Sequence, residues 1–363
     1  MAMLKRTPLY NNHVSLDAKM VDFGGWEMPV QYSGIVNEHQ SVREKAGIFD
    51  VSHMGEFEAT GPDALPFLRK LTANDPTKLG IGRGQYSLLL NENGGTIDDI
   101  IVYRTGQESY LIVVNASNID KDWQHVAQNA SKFKNLKLTN QSDQYGLIAL
   151  QGPLAEQYLS KHVDRALSEI GFFRIRQANF GNYKVRIART GYTGEGLNGF
   201  EIFTSTKDAP AIWEALIAHE EIIPCGLGAR DTLRIEASLP LYGHELDDTT
   251  SPIEAGLDIF TAKDGNYIGS DIIQEQRKNG TKKTLIMLEM IDKGILRQGY
   301  ELITSADEPI GVITSGTIAP WINKSIGMGY VLTQYANIDT ELWVHIRNRK
   351  LKAKVVPRPF FKR

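Results

Sequence analysis

Two adjacent acidic residues, Asp98 and Asp99, begin a strand pattern just beyond a glycine-containing turn. Aspartate is common at hairpin turns, so a structural role is one interpretation of the pair. Successive side chains of a strand face opposite ways, which places Asp99 on one face with Ile97 and Tyr103. We therefore expect Asp99, rather than Asp98, to lie against an apolar wall, where a carboxylate acts strongly on a bound cation.

A third acidic residue, Glu201, stands between bulky apolar neighbours in a second strand pattern. A buried carboxylate requires a partner, because an unpaired charge is costly to remove from water. The preceding turn carries glycines on both sides of Tyr192. Taken alone, Tyr192 fits core packing as well as it fits a binding site.

A predicted helix over 226–238 places Arg230 and Arg234 on one face, four residues apart. Two neighbouring arginines repel each other unless an anion or a buried acceptor engages them. The helix thus offers a partner for Glu201. Surface salt bridges within the helix are the alternative interpretation.

The remaining composition argues against several other kinds of site. The single cysteine, Cys225, cannot form an internal disulfide or a cysteine-built zinc site. The 8 histidines form no His-x-x-x-His pair, so we expect no metal. The chain lacks the phosphate-binding Gly-x-x-x-x-Gly-Lys-Ser/Thr segment and the Gly-x-Ser-x-Gly segment of serine hydrolases.

Charge and hydropathy address the partners and the location. The formal net charge is -3, whereas general nucleic-acid binders carry a clear basic excess, so we expect no nucleic acid. No apolar run approaches the roughly 20 residues that span a membrane. The first residues contain no hydrophobic signal core. We expect a cytoplasmic protein that does not act at a membrane.

These side chains must be positioned by helices and strands that the sequence also predicts. The predicted helices cover 34–46, 62–71, 119–130, 153–159, 208–220, 226–238 and 270–279, the first ending at Gly47. The predicted strands cover 86–90, 97–103, 110–115 and 146–150, with a strand pair near 180–204. This order is typical of an α+β layer structure rather than a doubly wound sheet. From 284 onward, short β-type runs predict a small barrel or sandwich.

Seven segments, taken together and in this order, resemble the aminomethyltransferases, the T-protein family of the glycine cleavage system. Each segment alone is weakly specific, but their common order along almost the whole chain is highly specific. The segments are 6–10, 23–30, 49–54, 93–99, 150–153, 190–195 and 228–236.

The resemblance implies an α+β fold of three domains arranged as a cloverleaf around a central folate channel. The implied domains are a discontinuous folate-binding domain (1–53 and 141–280), an inserted domain (54–140) and a C-terminal small β-barrel (281–363). The implied reaction transfers the methylene of an aminomethyl group from the lipoylated H-protein to tetrahydrofolate. Its products are ammonia, dihydrolipoyl H-protein and 5,10-methylenetetrahydrofolate.

The resemblance also assigns roles to individual residues. Asp99 corresponds to the acidic residue that is critical for catalysis. The residues that correspond to the folate site are Met54, Tyr86, Asn115, Tyr192, Glu201 and Arg230, and Phe173 is a further aromatic candidate.

These roles agree with the chemistry of folate. A carboxylate such as Glu201 can accept from the pterin N3–H and 2-amino groups together. Arg230 either braces Glu201 or donates to the 4-oxo group. An ionised Asp99 near N5 and N10 would stabilise iminium-like charge and relay the N10 proton.

Four departures from the family pattern leave contacts open. The segment between Thr193 and Glu201 is about two residues longer than usual, which makes Glu195 a rival pterin carboxylate. Thr314–Trp321 differs from the family's usual ending at the channel rim. Phe360 and Phe361 stand where some relatives have tyrosines. Arg297 fits a contact with the glutamate tail of folate or an ordinary surface role.

Two other functions are compatible with the same fold. One is a folate-accepting demethylation module, which in its known form is fused to a flavin-binding half that this chain lacks. The other is a folate-binding factor in iron–sulfur protein maturation, whose Lys-Gly-Cys-Tyr type motif is absent here.

Overall fold

The protein is represented by a computed structural model, which describes residues 3–363. Its helices are α1 (Tyr10–Ser15), α2 (Ile35–Glu44), α3 (Ala64–Leu71), α4 (Ile119–Ala130), α5 (Ala155–Leu159), α6 (Ala209–Ile217), α7 (Leu227–Glu236) and α8 (Ser270–Asn279). Its strands are β1 (Lys19–Phe23), β2 (Trp26–Gln31), β3 (Ala46–Asp50), β4 (Gly55–Thr60), β5 (Gly84–Leu90), β6 (Thr96–Gly106), β7 (Ser109–Val114), β8 (Lys137–Asn140), β9 (Tyr145–Gln151), β10 (Ile175–Phe180), β11 (Tyr183–Ala188), β12 (Gly199–Ser205), β13 (Ile222–Pro224), β14 (Lys283–Met290), β15 (Glu301–Ile303), β16 (Pro309–Ala319), β17 (Lys324–Leu332), β18 (Glu341–Ile346) and β19 (Arg349–Val356).

A six-stranded sheet in the order β10-β11-β12-β9-β3-β13 forms the first layer. Side chains alternate across it, as the two-residue period of a strand requires. On β12, Phe200 and Ile202 point outward and pack with Trp213 of α6, whereas Phe203 points to the opposite, inner face. The same alternation gives Glu201 the inner face.

A five-stranded sheet in the order β5-β6-β7-β4-β8 forms the second layer. Its outer face is covered by α3 and α4, where Phe57 and Val102 pack with Phe67 and Val126. Its inner face contributes Tyr103 to a third cluster, which also contains residues of the six-stranded sheet. The two sheets therefore pack face to face, with helices on their outer sides.

A closed barrel in the order β14-β17-β16-β15-β18-β19 follows the two sheets. Helix α7 joins the three parts: Ala229 and Leu233 pack in the core between the sheets, and Ile235 packs against barrel residues that include Met287. Arg234 of α7 also donates to the Ser315 hydroxyl of the barrel at 2.7 Å. A side chain on α7 can therefore reach the place where all three parts meet.

Most elements that the sequence predicts are present, and the fold class is confirmed: an α+β fold that ends in a closed six-stranded barrel. The helix predicted over 34–46 is α2, which ends at Glu44, because Ala46–Asp50 is a buried strand. The β1–β2 hairpin was not predicted from the sequence; its turn has Gly24 and Gly25 at φ +58 and +86. Glycine adopts such positive φ values without strain.

The six-stranded sheet, the five-stranded sheet and the barrel each occupy their own part of the predicted domains. The five-stranded sheet uses strands between 55 and 140, and the barrel uses strands between 283 and 356. The exact boundaries at 53/54, 140/141 and 280/281 remain predictions, and residues 1 and 2 of the first segment lie outside the described part.

None of the helices described over 3–363 is both long and apolar enough to cross a membrane.

Candidate active site

Asp98 and Asp99 lie on β6, but their surroundings differ from the expectation. A bulge in the β5–β6 pairing pairs Leu89 with Asp98 but Leu90 with Thr96. Ile97 therefore packs in the cluster under the outer helices rather than on the face of Asp99, and that expectation was wrong. Asp98 is fully buried and Asp99 is half-buried, so both carboxylates lie largely away from water, and burial alone does not single out Asp99.

Asp99 is held by two of the predicted site residues. The Tyr86 hydroxyl donates to Asp99 Oδ2 at 3.1 Å, and Asn115 Nδ2 donates to Asp99 Oδ1 at 2.9 Å. Tyr86 in turn packs edge-to-face against Phe260, with ring centroids 4.8 Å apart. Phe260 was not predicted from the sequence, because it lies in a short 3₁₀ segment without a recognisable motif.

The surroundings of Asp99 also set its protonation state. Burial, together with the neighbouring charge of Asp98, raises the pKa of Asp99 to about 7, although Tyr86 and Asn115 oppose the rise. A carboxyl with this pKa is partly protonated at neutral pH, so it can both accept and return a proton there. General acid–base catalysis requires a group of this kind.

Glu201 lies on the inner face of β12 and has one hydrogen-bonded oxygen. The Thr190 hydroxyl donates to Glu201 Oε2 at 2.5 Å, and the Tyr103 hydroxyl lies 3.1 Å from that of Thr190. Burial raises the pKa of Glu201, opposed by this hydrogen bond and by the charge of Arg230. Among residues 3–363, no donor engages Oε1, which leaves that oxygen available to a ligand.

The two arginines of α7 have different partners. Arg234 is buried and pairs with Glu245 at 2.8 Å, besides a contact with Asp231 within the helix. Arg230 makes no hydrogen bond or ion pair with any residue of the described chain, and its guanidinium lies 4.8 Å from the centroid of the Tyr192 ring. Burial lowers the pKa of Arg230, an effect that Tyr192 and Glu201 oppose. A half-buried guanidinium without a partner is suited to bind a ligand.

Electrostatic effects connect these residues into one region. The charge of Asp99 is among the causes that raise the pKa of Tyr192, after burial itself. Tyr192 likewise contributes to the raised pKa of Tyr86. Asp99 and Tyr86 are thus near Tyr192. The Tyr192 ring contacts Arg230, and the charge of Arg230 acts on Glu201. Asp99 does not point into bulk solvent.

Two further predicted residues are placed less directly. Met54 packs at the edge of the core between the two sheets. The ring of Phe173 packs on Phe172, at 4.9 Å between centroids, and its backbone joins the two sheets by accepting from Gly84 N at 2.7 Å. Phe173 therefore lies at the seam between the sheets, and its ring pairs with Phe172 rather than with Tyr86 or Tyr192.

The rival carboxylate, Glu195, is occupied elsewhere. Its side chain is buried and pairs with Arg43 at 2.7 Å and with Arg363 at 2.6 Å. The Arg43 guanidinium also lies over the ring of Phe361, 3.8 Å from its centroid. Arg297 donates to the backbone of Gly316 at 2.9 Å, where it is exposed.

Two buried groups near Glu201 and Arg230 were not singled out in the sequence. Burial raises the pKa of Glu56 well above its ordinary value, and the charge of Glu201 adds to the effect. Burial lowers the pKa of His53 to about 4, and Arg230 contributes. His53 is therefore neutral at neutral pH, and burial favours the protonated, neutral form of Glu56. Neither stands in a pattern that would indicate burial before the sheets are stacked.

The side chains of the described chain offer no cluster of three or more His, Cys, Asp or Glu residues suited to a metal ion. Cys225 is buried, and its thiol faces backbone carbonyl oxygens of Glu38 and Ile223. This placement does not favour the iron–sulfur alternative. The expectation that the protein uses no metal remains a prediction.

The fold and these groups define a class: an α+β enzyme whose site lies where two stacked sheets meet a C-terminal barrel. Family models match residues 9–265 (GCVT N-terminal domain) and 283–362 (glycine cleavage T-protein C-terminal barrel domain). The chain belongs to the glycine cleavage T-protein family, and it is a transferase.

Relatives and solved structures agree with this family over the full length. The chain is 49% identical to an aminomethyltransferase of Geobacillus sp. (strain WCH70), covering 99% of this chain and 100% of the relative. It is 46% identical to an aminomethyltransferase of Anoxybacillus flavithermus, with the same coverage. It also resembles the crystal structure of glycine cleavage system aminomethyltransferase T from Bartonella henselae, with a TM-score of 0.93 and 33% identity over 99% of this chain and 98% of that one.

Proposed function

We propose that this protein transfers the methylene of an aminomethyl group from the lipoyl arm of an H-protein to tetrahydrofolate. The reaction releases ammonia and 5,10-methylenetetrahydrofolate. One observation supports it best. Glu201 has an oxygen without a donor, Arg230 has a guanidinium without a partner, and both lie in the same region as a titratable Asp99. The predicted cytoplasmic location and the H-protein partner belong to the same proposal.

The donor and acceptor groups of Glu201 and Arg230 fit a pterin edge. The ring presents N3–H and a 2-amino group side by side, and a carboxylate oxygen accepts from such donors. Arg230 lies too far from Glu201 to hydrogen-bond it in the free protein, so we assign it to the 4-oxo group rather than to bracing Glu201. Tyr192, under Arg230, offers an aromatic face to the flat ring.

The reaction balances with Asp99 as the group that moves a proton. The methylene carbon loses its bonds to sulfur and to the amine nitrogen, and gains bonds to N5 and N10 of tetrahydrofolate. The N5 and N10 protons end on the departing ammonia and on the lipoyl sulfur. Asp99 accepts the N10 proton as the five-membered ring closes, and its carboxylate stabilises the iminium-like charge that precedes closure. The other side chains hold the reactants in position.

A direct assay tests this function. Purified protein is mixed with aminomethylated H-protein and tetrahydrofolate, and the formation of 5,10-methylenetetrahydrofolate and ammonia is followed. We expect product only when both substrates and the protein are present. If the protein binds tetrahydrofolate but yields no product above the protein-free rate, the proposed function is wrong.

Replacing Glu201 by Gln is expected to weaken tetrahydrofolate binding about 10- to 100-fold, because hydrogen bonds to a charged group contribute about 1.5–3 kcal/mol. Titration calorimetry measures the Kd. Glu195→Gln serves as the comparison: its carboxylate is committed to Arg43 and Arg363, so we expect a loss of stability but a Kd within about threefold of wild type. The opposite ranking would assign the pterin to Glu195.

A further inference from the structure

Behind Asp99 lies a second, fully buried acidic residue to which the proposed function assigns no role. Asp98 is completely inaccessible to solvent, on the face of β6 that is covered by α4. Three N–H groups point at its two oxygens: the Asn115 backbone N–H (2.9 Å), Asn115 Nδ2 (2.9 Å) and Asn118 Nδ2 (2.6 Å). Three donors on one carboxyl are the surroundings of an ionised carboxylate.

A third acidic side chain, Asp122 of α4, lies beside Asp98 and differs from it. It is also inaccessible to solvent, and its carboxyl is hydrogen-bonded to that of Asp98, with no other hydrogen-bond partner among residues 3–363. Burial, followed by the charge of Asp98, raises the pKa of Asp122 to about 11, so this group is a neutral acid at neutral pH. The buried pair therefore carries one negative charge, on Asp98.

Asn115 connects this charge to Asp99. Its Nδ2 group donates to Asp98 Oδ1 and Asp99 Oδ1, both at 2.9 Å, and to the Asp99 carbonyl at 3.1 Å. Because Asp98 also binds the backbone N–H of Asn115, the amide cannot rotate without losing several hydrogen bonds. The orientation of the Asp99 carboxyl is thus set from the buried side of the strand.

We propose that Asp98 is a positioning residue for methylene transfer, which orients Asp99 through Asn115 and, by its own buried negative charge, favours proton uptake by Asp99. The inference rests on the proposed function for its kinetic consequence. Other titratable or charged groups face this cluster from the elements packed on it. They are Tyr86 of β5, Lys121 and Asp122 of α4, Tyr192, Tyr242 and Arg358.

The test compares the pH profiles of Asp98→Asn and Asp122→Asn. In wild type, kcat should rise with pH through about 7, because the ionised form of Asp99 accepts the proton and its pKa is raised to about 7. Asp98→Asn removes the like charge, so this limb should move about 1 to 2 pH units lower, and kcat on the plateau should fall about 10- to 100-fold. Asp122→Asn replaces a group that is already neutral, so its limb should stay at the wild-type pH.

A limb that stays at the wild-type pH in Asp98→Asn, or that moves equally in Asp122→Asn, overturns the proposal. A second measurement does not need the Asp98 variant to fold. In wild-type protein labelled with ¹³C at aspartate carboxyls, the proposal requires Asp98 to be ionised and Asp122 protonated at pH 7. Asp99→Asn and Asp122→Asn assign two of these resonances, and through-bond correlation to its own backbone amide assigns that of Asp98. A protonated Asp98 at pH 7 contradicts the proposal even if the transfer assay itself were negative, so the two failures are distinguishable.

Discussion

Replacing Asp99 by Asn is expected to lower kcat for methylene transfer by about 10²- to 10⁴-fold, the usual contribution of a positioned acid–base group. Asparagine preserves the size of the side chain and can still accept from Tyr86, but it can neither take up the N10 proton nor carry negative charge. The Kd for tetrahydrofolate should stay within about threefold of wild type, because the pterin is assigned to Glu201 and Arg230.

Single-turnover kinetics with aminomethylated H-protein would separate the loss in kcat from any change in binding. Asp143→Asn is a suitable control, since Asp143 is exposed and distant from β6 in the sequence. An Asp99→Asn protein that binds folate and keeps full transfer activity would remove Asp99 from the mechanism. In that case the pH limb assigned to Asp99 would also have to arise from another group.

Replacing Arg43 by Met should lower the free energy of unfolding by about 3–5 kcal/mol, the usual effect of removing one partner from a buried ion pair. The Arg43 guanidinium pairs with Glu195 at 2.7 Å and with Glu236 at 3.0 Å, and all three side chains are inaccessible to solvent. Burial raises the pKa of Glu236, but the hydrogen bond with His39 and the charge of Arg43 bring it below its ordinary value. Without Arg43, the buried carboxylates of Glu195 and Glu236 would each lose a positively charged partner.

Urea denaturation measures this change, with Arg349→Met as the control. Arg349 is exposed and forms no salt bridge among residues 3–363, so its replacement should change stability by less than about 0.5 kcal/mol. A loss below about 1 kcal/mol in Arg43→Met would mean that the remaining partners, Arg363 and His39, compensate the two carboxylates by themselves.

The local pattern of the sequence was sufficient to predict most helices and strands and several site residues. The strand pattern correctly predicted β12, with Glu201 between bulky apolar neighbours; the alternation of that strand puts Phe200 and Ile202 on one face and Phe203 on the other. Helical spacing correctly predicted α7, with both arginines on it. These features depend only on residues within a few positions of one another, because side-chain direction repeats with the period of the element.

The tertiary structure decided which charged groups are free and which are engaged. Within α7, Asp231 pairs with Arg234, but Glu245 and Ser315, which engage the buried guanidinium of Arg234, belong to other segments, and neither engages Arg230. Likewise Glu195 resembles Glu201 until Arg43, 152 positions away, is brought against it. Only the stacking of the sheets and the docking of the barrel bring such partners together.

The aspartate pair shows both contributions. The sequence by itself determined that a turn is followed by two acidic residues on opposite faces of a strand, because a strand alternates its side chains. Only the tertiary structure decided which of them is fully buried, since a bulge at Ile97 breaks the alternation and α4 covers Asp98. The raised pKa of Asp99 has the same origin, because burial and the neighbouring charge act through space rather than along the chain.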